Sequence, residues 1–89
     1  MYTSRLWVHP EKRRYYRASV YKDLLGHWVM VRDWGSLDTK LGGTKTELLE
    51  GSGQGEAQLK AVAKRRANHH YLLVEVNNVG LGISEVANI

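Results

Sequence analysis

The chain has no cysteine among its 89 residues. That excludes disulfide staples and a thiolate zinc site, and it fits a reducing compartment. No apolar run approaches the roughly 20 residues of a helical membrane span. The opening MYTSRLWVHPEKRR contains no apolar h-region, so no secretory signal is expected there. The expectation is a soluble, cytoplasmic protein. Proline occurs once, at Pro10, where it should interrupt any regular element. Acidic residues are the scarcer charge. Nine Asp and Glu against 13 Lys and Arg leave a net +4 and a pI near 9.6. A modest basic excess favours anionic partners such as nucleic acid. The same excess also keeps many small domains soluble, so the placement of the charges matters more than their sum.

Signatures of catalysis are missing as well. GGTKT, Gly42 to Thr46, resembles a phosphate loop only at first sight. Threonine precedes Lys45, Asp38 stands where the other glycine belongs, and no helical pattern follows directly. The four histidines, His9, His27, His69 and His70, make no i, i+4 pair of the kind that suits zinc. Adjacent His69 and His70 would point about 100° apart on a helix. No serine or threonine lies in a recognisable nucleophile motif with a base, and the acidic residues are scattered. Neither an enzyme, a metal nor a cofactor is expected.

What is present reads as one small domain. A chain this short buries only about 60–65% of its unfolded surface, so its core is small and its stability marginal. Arg5 to Arg14 reads as a lead-in segment whose bulky apolar residues are Trp7 and Val8. YYRASVYK, Tyr15 to Lys22, alternates as a strand. Tyr16, Ala18 and Val20 share one face, and Tyr15, Arg17, Ser19 and Tyr21 the other. Asp23 and Gly26 supply a turn. HWVMVRDW, His27 to Trp34, reads as a second strand with Trp28, Met30, Arg32 and Trp34 on one face. The short connection implies an antiparallel hairpin. A third strand fits within Thr39 to Leu49, with Gly42-Gly43 as a kink, bulge or turn.

Ser52 is a candidate N-cap for a helix from Glu56 to about His70. Leu59, Val62, Ala63 and Ala67 fall at helical spacing, with Tyr71 one turn on. Arg66 projects beside that apolar arc, where its stem can lie over the core edge. LLVEV, Leu72 to Val76, is a last strand or an extended tail. The expected organisation is therefore one domain over residues 1–76 and a C-terminal tail over 77–89. The fold class is α+β, an antiparallel sheet with one helix across a face.

Cations cluster at Lys12-Arg13-Arg14 and at Lys64-Arg65-Arg66, and Lys40 and Lys45 flank the Gly-Gly pair. Tyrosines and Trp34 interleave with them. Mobile cations suit phosphates, and flat aromatics suit unpaired bases or nucleic-acid ends.

LLGHWVMVRDWGSLDTKLGGTKTE resembles the WGR domain, a family named for a Trp-Gly-Arg tripeptide. That family runs from an aromatic-rich strand through a D-L-F-G-like turn to W-x-L-V-R-x-W-G-R. A polar loop and an Ala/Lys/Arg-rich helix follow. This chain has PEKRRYYRASVYKDLLG, HWVMVRDWG, TKTE and EAQLKAVAKRRANHHY in the same order, from about Arg5 to Tyr71. The resemblance implies an antiparallel sheet flanked by a helix. In the poly(ADP-ribose) polymerases the domain binds DNA at strand breaks, with the motif tryptophan against sugar near the terminus and a later lysine on the nucleic acid. The resemblance thus implies stacking by Trp34 and a phosphate contact by Lys45. Ser36 departs from the family's arginine and lacks its bidentate, permanent charge. Asp38 replaces a glycine and would repel a nearby phosphate.

The leading expectation is a nucleic-acid-binding module that recognises DNA, or RNA, by ends or structure rather than sequence. Its candidate residues are Trp34, Lys45, Lys40, Arg17, Thr44 and Ser36. The alternative is a protein-interaction or self-association module that uses exposed aromatics and a free sheet edge.

Overall fold

A computed structural model describes residues 2–79. Its elements are β1 (Tyr2–His9), β2 (Arg14–Lys22), β3 (Trp28–Ser36), β4 (Gly42–Leu49), α1 (Ser52–Asn68) and β5 (Leu72–Val79). The strands form one sheet in the order β4-β3-β2-β1-β5, and every neighbouring pair is antiparallel. Three hairpins build β1 to β4. The chain then crosses the sheet through α1 and returns as β5 beside β1. This is the α+β architecture expected, an antiparallel sheet with one helix packed on a face.

At the β2–β3 turn Asp23 Oδ1 accepts the backbone N–H groups of Leu25 and His27 at 2.9 and 2.8 Å. Gly26 there has φ 86°, a conformation that only glycine adopts at low cost. Within the strands, period two sends alternate side chains to opposite faces. Trp7, Ala18, Val20 and Met30 from the sheet meet Leu59 and Val62 of α1 in the core. A Cβ at Gly55 would lie 2.7 Å from Val20 Cγ1, so the missing side chain lets the helix settle onto β2. Each fully buried Val, Leu or Met contributes about 1.5–3 kcal/mol.

The helix starts weakly and stops firmly. Gly51 precedes it, no side chain caps it, and its first turn holds no acidic residue. Ser52 is thus the first helical residue rather than the cap, and the expected start at Glu56 comes four residues late. At the other end His70 takes φ 67°. The N–H of Tyr71 donates to Arg66 C=O at 2.9 Å, and that of His70 to Ala67 C=O at 3.0 Å. This is the paired-bond stop in which glycine usually holds the left-handed position. Arg65 and Arg66 in the last turn oppose the negative end of the helix dipole.

Three elements differ from the sequence reading. Tyr2–His9 is a full strand in the sheet interior, not a lead-in segment. Its buried residues include Thr3, Ser4 and His9, so polar residues hide the apolar pattern. Pro10 does act as a break, in the turn after β1. The third strand lies within the expected Thr39 to Leu49, at Gly42–Leu49 after the loop of residues 37–41, but Gly42 and Gly43 pair in regular register with Gly35 and Trp34 rather than forming a kink, bulge or turn. Finally, β5 runs past residue 76. Asn77, Asn78 and Val79 pair with Ser4, Thr3 and Tyr2. The rest of the expected tail lies outside the described residues.

Candidate functional site

The cross-strand register sets out the site row by row on the face that carries α1. Trp7, Tyr16, Trp34 and Gly43 are direct neighbours across β1, β2, β3 and β4. The next row holds Arg5, Ala18, Arg32 and Lys45, and the row on the other side holds His9, Arg14 and Ser36. Such directly opposed side chains touch. Trp7 meets Tyr16 edge-on, with centroids 6.3 Å apart. Tyr16 and Trp34 lie within 18° of parallel, also with centroids 6.3 Å apart.

The Gly-Gly pair finds its reason here. A Cβ at Gly43 would stand 2.7 Å from Trp34 Cζ2, and one at Gly42 would stand 2.3 Å from the Trp34 carbonyl oxygen. The indole therefore lies against bare β4 backbone. It remains 40% exposed, which for so large a ring leaves a broad apolar surface open.

The C-terminal half of α1 hangs over this row. The Arg66 guanidinium carbon lies 4.4 Å from the Tyr16 ring centroid and 4.9 Å from that of Tyr71. A cation held between two rings is worth about 0.5–2 kcal/mol per contact, more as it is desolvated. The helix stop supports this arrangement, because the bond from Tyr71 to Arg66 C=O brings the two residues together.

A cleft of about 710 Å³ opens between α1 and the sheet. Its cations are Lys12, Arg14, Arg32, Lys45, Arg65 and Arg66, and among the described residues no Asp or Glu lines it. Arg32 is committed elsewhere: its Nε lies 3.1 Å from Glu47 Oε1, and its Nη2 donates to Gln58 Oε1 at 2.9 Å. The other five have no acidic partner within 4 Å among the described residues. Cations gathered in a hollow with low-dielectric walls raise the local concentration of anions.

The rim is built by two loops. Ser36 Oγ accepts the N–H groups of Asp38 and Thr39 at 3.0 and 3.2 Å, and Ser36 N–H donates to Leu41 C=O at 2.9 Å. Arg13 grips Asp38 through Nε and Nη2, the latter at 2.9 Å. This bond holds the Asp38 carboxyl below its ordinary value and the Arg13 guanidinium above its own. The Leu37 N–H donates to Arg13 C=O at 2.8 Å, so the two hairpin loops are tied together.

The six residues expected at the site do not all converge. Trp34, Lys45 and Ser36 line the cleft, Ser36 with its oxygen engaged in closing the loop. Lys40 and Thr44 line a smaller hollow next to it, which also reaches Trp34. Thr44 points to the other sheet face and hydrogen-bonds Asp33. Arg17 is displaced from the group. It lies on the opposite face from Trp34, and its Nη1 is 3.5 Å from Glu75. Period two already separated Arg17 from Tyr16. Asp38 is likewise not a bare repulsive charge, because Arg13 offsets it.

Sequence alone places Lys12, Arg14, Arg65 and Arg66 in basic clusters without joining them to the site, and gives Tyr16 and Tyr71 no place in it. The usable signal was parity: Arg14 and Tyr16 share it with Ala18, and Arg32 shares it with Trp34. Among the described residues no three His, Asp or Glu gather to hold a metal, and no helix is long and apolar enough to cross a membrane. No family model, no curated protein and no solved structure matches this chain.

Proposed function

We propose that this domain is a nucleic-acid-binding module that recognises ends or unpaired structure rather than base sequence, in a cytoplasmic setting. One observation carries the reading. The cleft surrounds an open indole with cations, and among the described residues no carboxylate lines it. Phosphates seek the cations, and a base or sugar can cover the ring. The ordered likeness to the WGR domain supports the same reading from the sequence side, although Ser36 lacks the family's arginine fork.

The test is a titration of blunt duplex, nicked duplex and single-stranded DNA at two salt concentrations. Binding that releases counterions weakens steeply as salt rises. An absence of binding to all three at low salt removes the reading.

A protein-interaction reading rests on a different part of the molecule. The β5 edge exposes Leu72, Leu73, Val74 and Val76, and bare apolar edges pair with other chains. Measurement of mass in solution tests it. A salt-insensitive dimer that ignores DNA favours that role over the first.

A further inference from the structure

We propose that the cleft takes a single unpaired strand of at most about five nucleotides and leaves duplex outside. The inference rests on the nucleic-acid reading above and narrows its substrate.

Shape is the first reason. Elements that read a duplex project into its grooves, as a helix or a β-ribbon does. Here the indole lies on the floor of a hollow between α1 and the sheet, roofed by Arg65 and Arg66. The hollow, about 710 Å³ and open along its side, has room for roughly one or two bases beside the indole with the rest of a strand along its rim, and no room for a duplex. A paired base cannot lay its face on Trp34 without leaving its stack and its partner, which costs a few kcal/mol. An unpaired strand presents its faces without that cost.

The order of the cations is the second reason. Arg14 and Lys45 lie on opposite sides of Trp34, diagonally across β2, β3 and β4. Strand spacing and residue rise put their Cα atoms roughly 17 Å apart. At about 3.4 Å per stacked nucleotide, that diagonal spans at most about five. Roof and floor also divide the work. Arg66 is pinned between Tyr16 and Tyr71, while Arg65 is exposed and without an acidic partner among the described residues. A strand running along the diagonal would meet phosphate contacts at both ends and a ring between them.

The experiment measures fluorescence anisotropy with oligo-dT of two to ten nucleotides, a blunt duplex, and the same duplex with a five-nucleotide overhang, each at two salt concentrations. Affinity should rise with oligo-dT length up to about five and then level off. The overhang should match the single strand, and the blunt duplex should bind at least about tenfold more weakly. Trp34→Ala should cost the single strand about tenfold or more, and Trp34→Tyr should recover most of it. Arg65→Gln, an exposed change that leaves the core alone, should flatten the salt slope by about 0.7.

Blunt duplex bound as tightly as single strand overturns this inference and leaves the broader reading standing. Failure of every probe at low salt overturns both. An unchanged salt slope in folded Arg65→Gln also counts against a strand beneath the helix.

Discussion

The two faces of this sheet are made from alternate residues of the same strands, yet their charges are arranged in opposite ways. On the face under α1 the strands carry Arg5, Arg14, Lys22, Arg32 and Lys45 against Glu47 alone. The other face carries Arg17 with Asp33 and Glu75 as its near neighbours. Both faces lay an aromatic over a glycine, Trp34 over Gly43 and Tyr15 over Gly35. The rings are therefore not what distinguishes them. What differs is that Trp34 stands among cleft cations of which only Arg32 has an acidic partner among the described residues, whereas Tyr15, at the cleft's edge, also borders a hollow where Arg17 is outnumbered by Asp33 and Glu75. A stacking residue needs its electrostatic surroundings before it becomes a ligand site.

The largest contrast between the faces should be in stability. Met30 and Val31 are successive residues of β3 with opposite directions. Met30 is fully buried under α1, whereas Val31 is only half-buried on the open face. Met30→Ala should destabilise by about 2–5 kcal/mol, because it leaves a cavity in a packed core. Val31→Ala should cost about 1 kcal/mol or less. Urea midpoints at an unchanged slope read the difference directly. Equal losses would mean that the open face is also packed against something.

The second contrast concerns phosphate. Lys45→Gln and Arg17→Gln each remove one cation, from the strands on either side of β3. Only Lys45 faces the cleft, so its loss should reduce the slope of log affinity against log salt for single-stranded DNA by about 0.7. Arg17 spends its charge on Glu75 at 3.5 Å, so its loss should leave that slope unchanged. A reversed result would put the nucleic acid on the open face.

Much of this was written in the local sequence, and the rest was not. Alternation over β2 and β3 already placed Tyr16, Ala18 and Val20 on one side and Arg17 on the other. Grouping residues by charge instead of by direction is what sets Arg17 beside Trp34 in a sequence reading, although the two lie on opposite faces. β1 was illegible for a different reason. Its interior position buries Thr3, Ser4 and His9, and a strand that buries polar residues has no apolar rhythm to read. The cleft itself was beyond local reasoning. It exists only because α1 crosses the sheet and brings Arg66 over Tyr16, 50 residues away in the chain. Gly43 could be seen as unusual, but the indole that requires it is on the adjoining strand.

The smallest effect expected is at the rim, where Asp38 offsets the charge of Arg13. Its bond to Arg13 holds its carboxyl below the ordinary 3.8, while Arg13 is held above its own ordinary value. A carboxyl lowered on folding adds stability that is fully present above the unfolded value and fades as pH falls through the folded one. Both side chains are more than half exposed, so solvent screens the pair and the contribution is small. Asp38→Asn should therefore lower the thermal midpoint slightly at neutral pH. That difference should close as pH drops below 3.8, with Arg13 charged throughout. Binding should move the other way. At neutral pH the variant releases Arg13 at the rim, so single-stranded DNA should bind more tightly and with a steeper salt dependence. Weaker binding would instead mean that the Arg13–Asp38 tie matters more for holding the two loops in place than for the charge that it cancels.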